Sequence, residues 1–144
     1  MSDKAETQSV TMELNLRHPP AKVWRALIEP ELLTKWLMAN DDMRPAVGHA
    51  FTFKVPGDNT MSVHCEVQEL ELHKRLRYSW KGGPLDTVVT WTLHATPSGG
   101  TTLRLEHSGF RPTEGGQAVF FDGAKKGWQF RVGKRLVDVL AQLA

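Results

Sequence analysis

Cysteine is almost missing from this chain. Cys65 stands alone among 144 residues, so no internal disulfide can close and no CxxC metal or redox pair exists. An excess of one charge is missing too: 18 Lys and Arg face 16 Asp and Glu, a formal net charge of +2, and no basic run exceeds two residues. That balance leaves no electrostatic footprint for nucleic acid, and no RNP-type aromatic motif is present. No apolar run approaches the roughly 20 residues that a spanning helix requires. The opening MSDKAETQS lacks a signal-peptide apolar region, so the expectation is a cytoplasmic protein without a membrane span.

The motifs of common chemistries are also absent: HExxH, Walker A, GxGxxG and GxSxG do not occur. His64, Cys65 and Glu66 are consecutive, so a strand would point Cys65 away from its neighbours and the three would not form a zinc site. The carboxylates of NDDM, residues 40–43, read as a solvated turn. The expectation is no metal, no cofactor and no catalytic residue, since no nucleophile–base pair can be named.

What remains is a globular composition, 40% hydrophobic with five tryptophans. A domain of this length buries about 68–70% of its extended-chain surface. No repeat, low-complexity tract or Pro/Gly-rich linker divides the chain, which reads as a loose tail over residues 1–9 and one domain over 10–144. VTMELNL alternates as a strand. HPPAKVWRALIEPELLTKW then carries two short helices, each opened by a proline, Pro20 and Pro30, where a first turn tolerates it.

From Ala50 to Gly109 the period becomes two, in the runs AFTFKV, MSVHCEVQELEL, RLRYSW, DTVVTWTLHA and TTLRLEHSG. PGDNT, HK, KGGPL and TPSGG between them are turn-forming, so the strands form an antiparallel meander. From about Gly116 a long amphipathic helix follows, with Phe121, Trp128, Val132, Leu136, Leu140 and Leu143 on one face. A sheet with one polar face must cover the other, and this helix is the only element long enough to do so. The fold class is therefore α+β: a curved antiparallel six-stranded sheet around a long C-terminal helix, with two short helices after the first strand.

In LRLEHSGF, Leu103 and Leu105 face inward, and the next inward position is His107. The turns set a register. Leu93 pairs with Leu103 across TPSGG and Trp80 with Thr87 across KGGPL, which aligns Tyr78, Val89 and His107 in one row and Leu76, Trp91 and Leu105 in the next. With strands about 4.8 Å apart, Tyr78 and His107 start roughly 10 Å apart, a gap that a ligand or water could bridge. Packing and ligand contact stay open for His107, as does a solid aromatic core. Gly127 and Gly133 inside the covering helix favour a cavity, because missing side chains leave room there. The FRPTEGG loop before that helix reads as an entrance flap. Lys125, Lys126, Arg131, Lys134 and Arg135 make the helix basic, as a solvated face or a site for an acidic partner.

PPAKVWRAL, PELLTKW, VGHAFTF, CEVQELELHKRLRYSW, GGTTLRLEHSGF and KKGWQFRVGKRL occur in that order over residues 19–136. This ordered set resembles the activator of heat-shock protein 90 ATPase homologue-like family, within the START and birch-pollen-allergen (SRPBCC) superfamily. The resemblance implies a START-like helix-grip fold, a sheet gripping a C-terminal helix around a hydrophobic cavity. It also covers the HSG step at His107–Gly109 and the GW step at Gly127–Trp128. It fixes no reaction, since relatives include ligand binders, co-chaperone domains and proteins of unknown role. The eukaryotic co-chaperone has a further N-terminal chaperone-binding domain for which these residues have no room, so ATPase activation is not expected.

The leading expectation is a binding protein for an apolar or aromatic small molecule. Phe51, Phe53, Tyr78, Trp80, Trp91, Leu105, His107, Phe121, Trp128 and Val132 would line its cavity, with His107 and Tyr78 orienting a polar group. A chaperone or other protein partner is the first alternative, and a cyclase- or hydrolase-type enzyme using the same cavity the second. A sheet edge, or a surface formed by Trp24 and Trp36, would serve a homodimer; the sequence leaves monomer and homodimer both open.

Overall fold

The fold is seen in a computed structural model that describes residues 7–41, 43–55 and 62–143. PGDNT and Asp42 of NDDM lie outside the described residues, as do residues 1–6 of the N-terminal tail. The remaining chain forms an open antiparallel sheet of seven strands in the order β1-β7-β6-β5-β4-β3-β2. These are β1 Gln8–Leu16, β2 Ala39–Asn40, β3 Ala50–Lys54, β4 Ser62–Glu71, β5 Arg75–Gly82, β6 Leu85–Ala95 and β7 Thr101–Phe110. The expected six strands become seven because Ala39 and Asn40 pair with Lys54 and Phe53. Two residues are too few to show a period of two. Strand β1 begins at Gln8, so residues 8 and 9 pair with β7 instead of belonging to the tail.

The inferred register is the observed one: Leu93 faces Leu103, Trp91 faces Leu105, Val89 faces His107, Tyr78 faces Val89, and Trp80 faces Thr87. One departure reshapes the end of β7. Ser9 pairs with Ser108 but Gln8 pairs with Phe110, so Gly109 is an extra residue in β7. Its φ of 99° lies where a side chain is strained, and a Cβ there would press on Asp86 O at 3.3 Å. The bulge turns Phe110 inward beside His107, so positions 107 and 110 share a face that strict alternation would give to 107 and 109.

Helices α1, Pro20–Ile28, and α2, Pro30–Trp36, each start on a proline whose fixed φ suits the first turn. Their apolar sides, Val23, Trp24, Ala26 and Leu27 on α1 and Leu32, Leu33 and Trp36 on α2, are buried. Trp24 and Trp36 are thus core residues and offer no surface to a second copy. The Trp36 indole donates to Ala26 O at 2.8 Å and meets Trp91 edge-on.

The C-terminal helix is not uniformly α. It runs as α3, Gln117–Phe130, then a π-helical segment, Arg131–Leu136, then α4, Val137–Gln142. Its buried residues explain why. Trp128, Val132, Leu136 and Leu140 recur every four residues, and on an α-helix each such step drifts about 40° around the axis. The wider π turn takes that drift back, so one face stays against the core. The front half lies over the sheet, while the π segment and α4 pack on α1 and α2.

Candidate functional site

Between α3 and the β3–β6 side of the sheet lies a cavity of about 320 Å³. Its helical wall is Val119, Phe120, Gly123, Ala124, Trp128 and Arg131. Val63, Trp80, Gly82, Leu85 and His107 form the sheet wall, and Met38, Val55 and Ser62 complete it. Helical spacing puts 120, 124 and 128 of α3 and 131 at the start of the π segment on one side of the C-terminal helix, and strand alternation puts 63 and 80 on the inner face of the sheet. Gly123 is exposed at the rim of this cavity, and a Cβ there would meet nothing within 4 Å.

Of the residues expected from the sequence, Trp80, His107 and Trp128 line this cavity. Phe51, Phe53, Tyr78, Trp91, Leu105, Phe121 and Val132 are buried in the surrounding core. Phe53 stands behind Trp80, with ring centroids 5.6 Å apart, and Trp91 behind Trp128 at 5.6 Å. Tyr78 does not reach His107. Its hydroxyl accepts from the Trp91 indole at 3.0 Å, and burial pushes its pKa up, so it stays protonated.

His107 is 1% exposed, and both its nitrogens are engaged. The Trp128 indole N–H lies 2.9 Å from Nδ1, and an indole can only donate. Nδ1 is therefore the unprotonated nitrogen, which places the proton on Nε2, 2.8 Å from Thr87 Oγ1. Thr87 in turn donates to Trp80 O at 2.7 Å. The chain Trp128 to His107 to Thr87 to Trp80 uses every donor along it. Burial lowers the His107 pKa to about 3, so the imidazole is neutral near pH 7. The ring borders the cavity with its carbon surface, and no ring nitrogen is left for a ligand.

Arg131 is the opposite case. Its Nε is buried without a hydrogen-bond partner, and nothing among the described residues forms an ion pair with its guanidinium. Burial, then the nearby Arg135 charge, lower its pKa. A Cβ on Gly127 would sit 2.8 Å from Arg131 Nη1, so the space left by this glycine holds the guanidinium. Gly133 is exposed and opens no room over the sheet.

The basic set read from the sequence is dispersed. Lys125 sits over the Phe121 ring, Lys134 pairs with Asp138, and Arg135 donates to Lys35 O. The loop preceding α3 lines no part of the cavity; the Gln117 side chain accepts from Arg111 N and donates to Pro84 O, tying the loop to the β5–β6 turn. Sequence reasoning missed Gly123 and the cavity-facing role of Arg131. The available signal was position: Arg131 lies three residues after Trp128 and one before Val132, at the border of the apolar stripe. Cys65, 3% exposed on β4, has its thiol pKa pushed up by burial. No cluster of three or more His, Cys, Asp or Glu able to hold a metal occurs among the described residues, and no helix there is long and apolar enough to cross a membrane.

Residues 17–141 match the family model described as "Activator of Hsp90 ATPase homolog 1-like protein". The chain belongs to this family. Among solved structures, this Activator of Hsp90 ATPase homolog 1-like chain is similar to protein MLL2253 from Mesorhizobium loti, at 40% identity and a TM-score of 0.83, over 95% of this chain and 99% of that one. It is similar to protein BH1534 from Bacillus halodurans at 26% identity and a TM-score of 0.78, over 92% and 96% of the two chains. It shares its fold with a protein described as the Aha1 dimer from Colwellia psychrerythraea, at 21% identity and a TM-score of 0.75, over 92% and 96%. No curated protein matches the chain. The open antiparallel sheet with its C-terminal helix is consistent with the helix-grip arrangement of such relatives.

Proposed function

We propose that this protein binds a small, mostly apolar molecule in the cavity between α3 and the sheet. The observation that carries this reading is a cleft that opens at the surface and reaches in to the buried rings of Trp80, His107 and Trp128. About 320 Å³ is left beside Trp80 and Trp128, and Gly123 adds no side chain at its rim. That volume falls at the lower end of the roughly 300–1,000 Å³ typical of small-molecule sites. Trp80, Trp128, Val63 and Leu85 would supply apolar contact. Phe51, Phe53, Tyr78, Trp91, Leu105, Phe121 and Val132 would hold those walls rigid from behind, which keeps the ordering cost of binding low.

The test uses N-phenyl-1-naphthylamine, an uncharged probe that fluoresces in apolar surroundings. The wild-type protein is expected to enhance its fluorescence. Gly123→Leu, which adds a side chain at the cavity rim, is expected to weaken binding by about tenfold or more while the protein stays folded. Equal binding by the two proteins, or no binding by the wild type, removes this reading.

A further inference from the structure

An apolar cavity wall with one charged group in it constrains what can sit there. Among the described residues, Arg131 is the only charged side chain lining the cavity. A guanidinium carries five N–H donors and no acceptor, so it needs acceptors or water wherever it is held. Here Nε has no partner, and no ion pair neutralises the charge among the described residues. The neighbouring cation makes this worse, because Arg135 is committed to Lys35 O and offers only repulsion. The guanidinium is nevertheless housed: it folds back over Gly127, along the same side of α3 that presents Ala124 and Gly123 to the cavity.

The group that answers this arrangement is a planar oxyanion, which meets the guanidinium fork through two parallel hydrogen bonds. The rest of the occupant must suit indole and aliphatic walls. We propose that the cavity takes a small aromatic carboxylic acid, its ring against Trp80 and Trp128 and its carboxylate on Arg131. This rests on the ligand-binding reading above and adds to it the chemical class of the ligand. Arg131 then sets the choice of ligand, while the apolar walls supply contact area that an uncharged analogue shares.

The experiment is calorimetric titration with 2-naphthoate and with its uncharged isostere 2-naphthamide, for the wild type and for Arg131→Gln. The wild type is expected to prefer naphthoate by about tenfold or more, a preference that weakens with added salt. Arg131→Gln is expected to bring the two affinities together by weakening naphthoate alone. Equal wild-type affinities, or a preference that survives in Arg131→Gln, overturn the carboxylate assignment and leave the binding reading in place. If the wild type binds neither naphthyl compound but does bind N-phenyl-1-naphthylamine, the carboxylate assignment again falls alone. If it binds none of the three, both fall. The wild-type preference decides the matter even if the variant does not fold.

Discussion

Trp128 and Arg131 lie three residues apart on the same helix, and both border the same cavity. At Trp128 the polar atom has a partner: its N–H meets His107, whose other nitrogen meets Thr87. At Arg131 the polar atoms have none among the described residues. The first cluster looks more like chemistry, with a histidine, a hydroxyl and an indole in line, yet every group in it is already satisfied. The second is a single residue with unmet hydrogen-bonding capacity beside open volume. A buried polar group marks a site only when its partners are missing and there is room for a ligand to supply them.

The contrast breaks most severely at Trp128. Trp128→Ala removes a buried indole and orphans His107 Nδ1, and is expected to lose about 3–5 kcal/mol of stability in urea denaturation. A loss under about 1 kcal/mol would mean that the network does not hold the helix to the sheet.

Acid sharpens the comparison. His107 titrates at about 3 in the folded protein against an ordinary 6.5. Between these values the unfolded chain binds a proton that the native state refuses, so protonation favours unfolding. His107's contribution is therefore intact above about pH 6.5 and is lost progressively as pH falls toward 3, by up to about 1.4 kcal/mol per pH unit. His107→Leu is expected to be less stable at pH 7 yet to lack this part of the slope. Urea midpoints at pH 7 and pH 4.5 check it; identical slopes in the two proteins would contradict a neutral, fully bonded imidazole.

The smallest effect is expected at the other residue. Arg131→Met replaces an unpaired, partly buried cation with an apolar chain, and thermal unfolding should show a change within about 0.5 kcal/mol or a gain. A loss above about 2 kcal/mol would show that Arg131 contributes to the fold as Trp128 does.

Much of the sheet was legible because its turns are short. TPSGG and KGGPL left one sensible pairing each, and the pairs Leu93–Leu103 and Trp80–Thr87 then fixed every inward row between them. Strand β2 was not legible, since two residues carry no periodicity. The π segment left a trace in the four-residue spacing of Trp128, Val132, Leu136 and Leu140, but that spacing also fits an α-helix with a broad apolar stripe. The site was harder to read. Alternation says that Phe51, Phe53, Tyr78 and Trp91 face inward, yet which inward residues are covered by packing and which border space depends on where α3 crosses the sheet. Arg131 was hidden among other cations, and only tertiary structure separates it from Lys126 or Lys134.

The lone cysteine gives the molecule a clock. Cys65 is shut into the core on a central stretch of β4, with its thiol held protonated by its surroundings. A thiol-reactive reagent cannot meet it in the closed protein, so labelling proceeds only through openings that expose the inner face of β4. The chain has no second thiol to confuse the signal. Its labelling rate therefore counts openings of the native state, and any molecule that binds only the closed protein would slow the count.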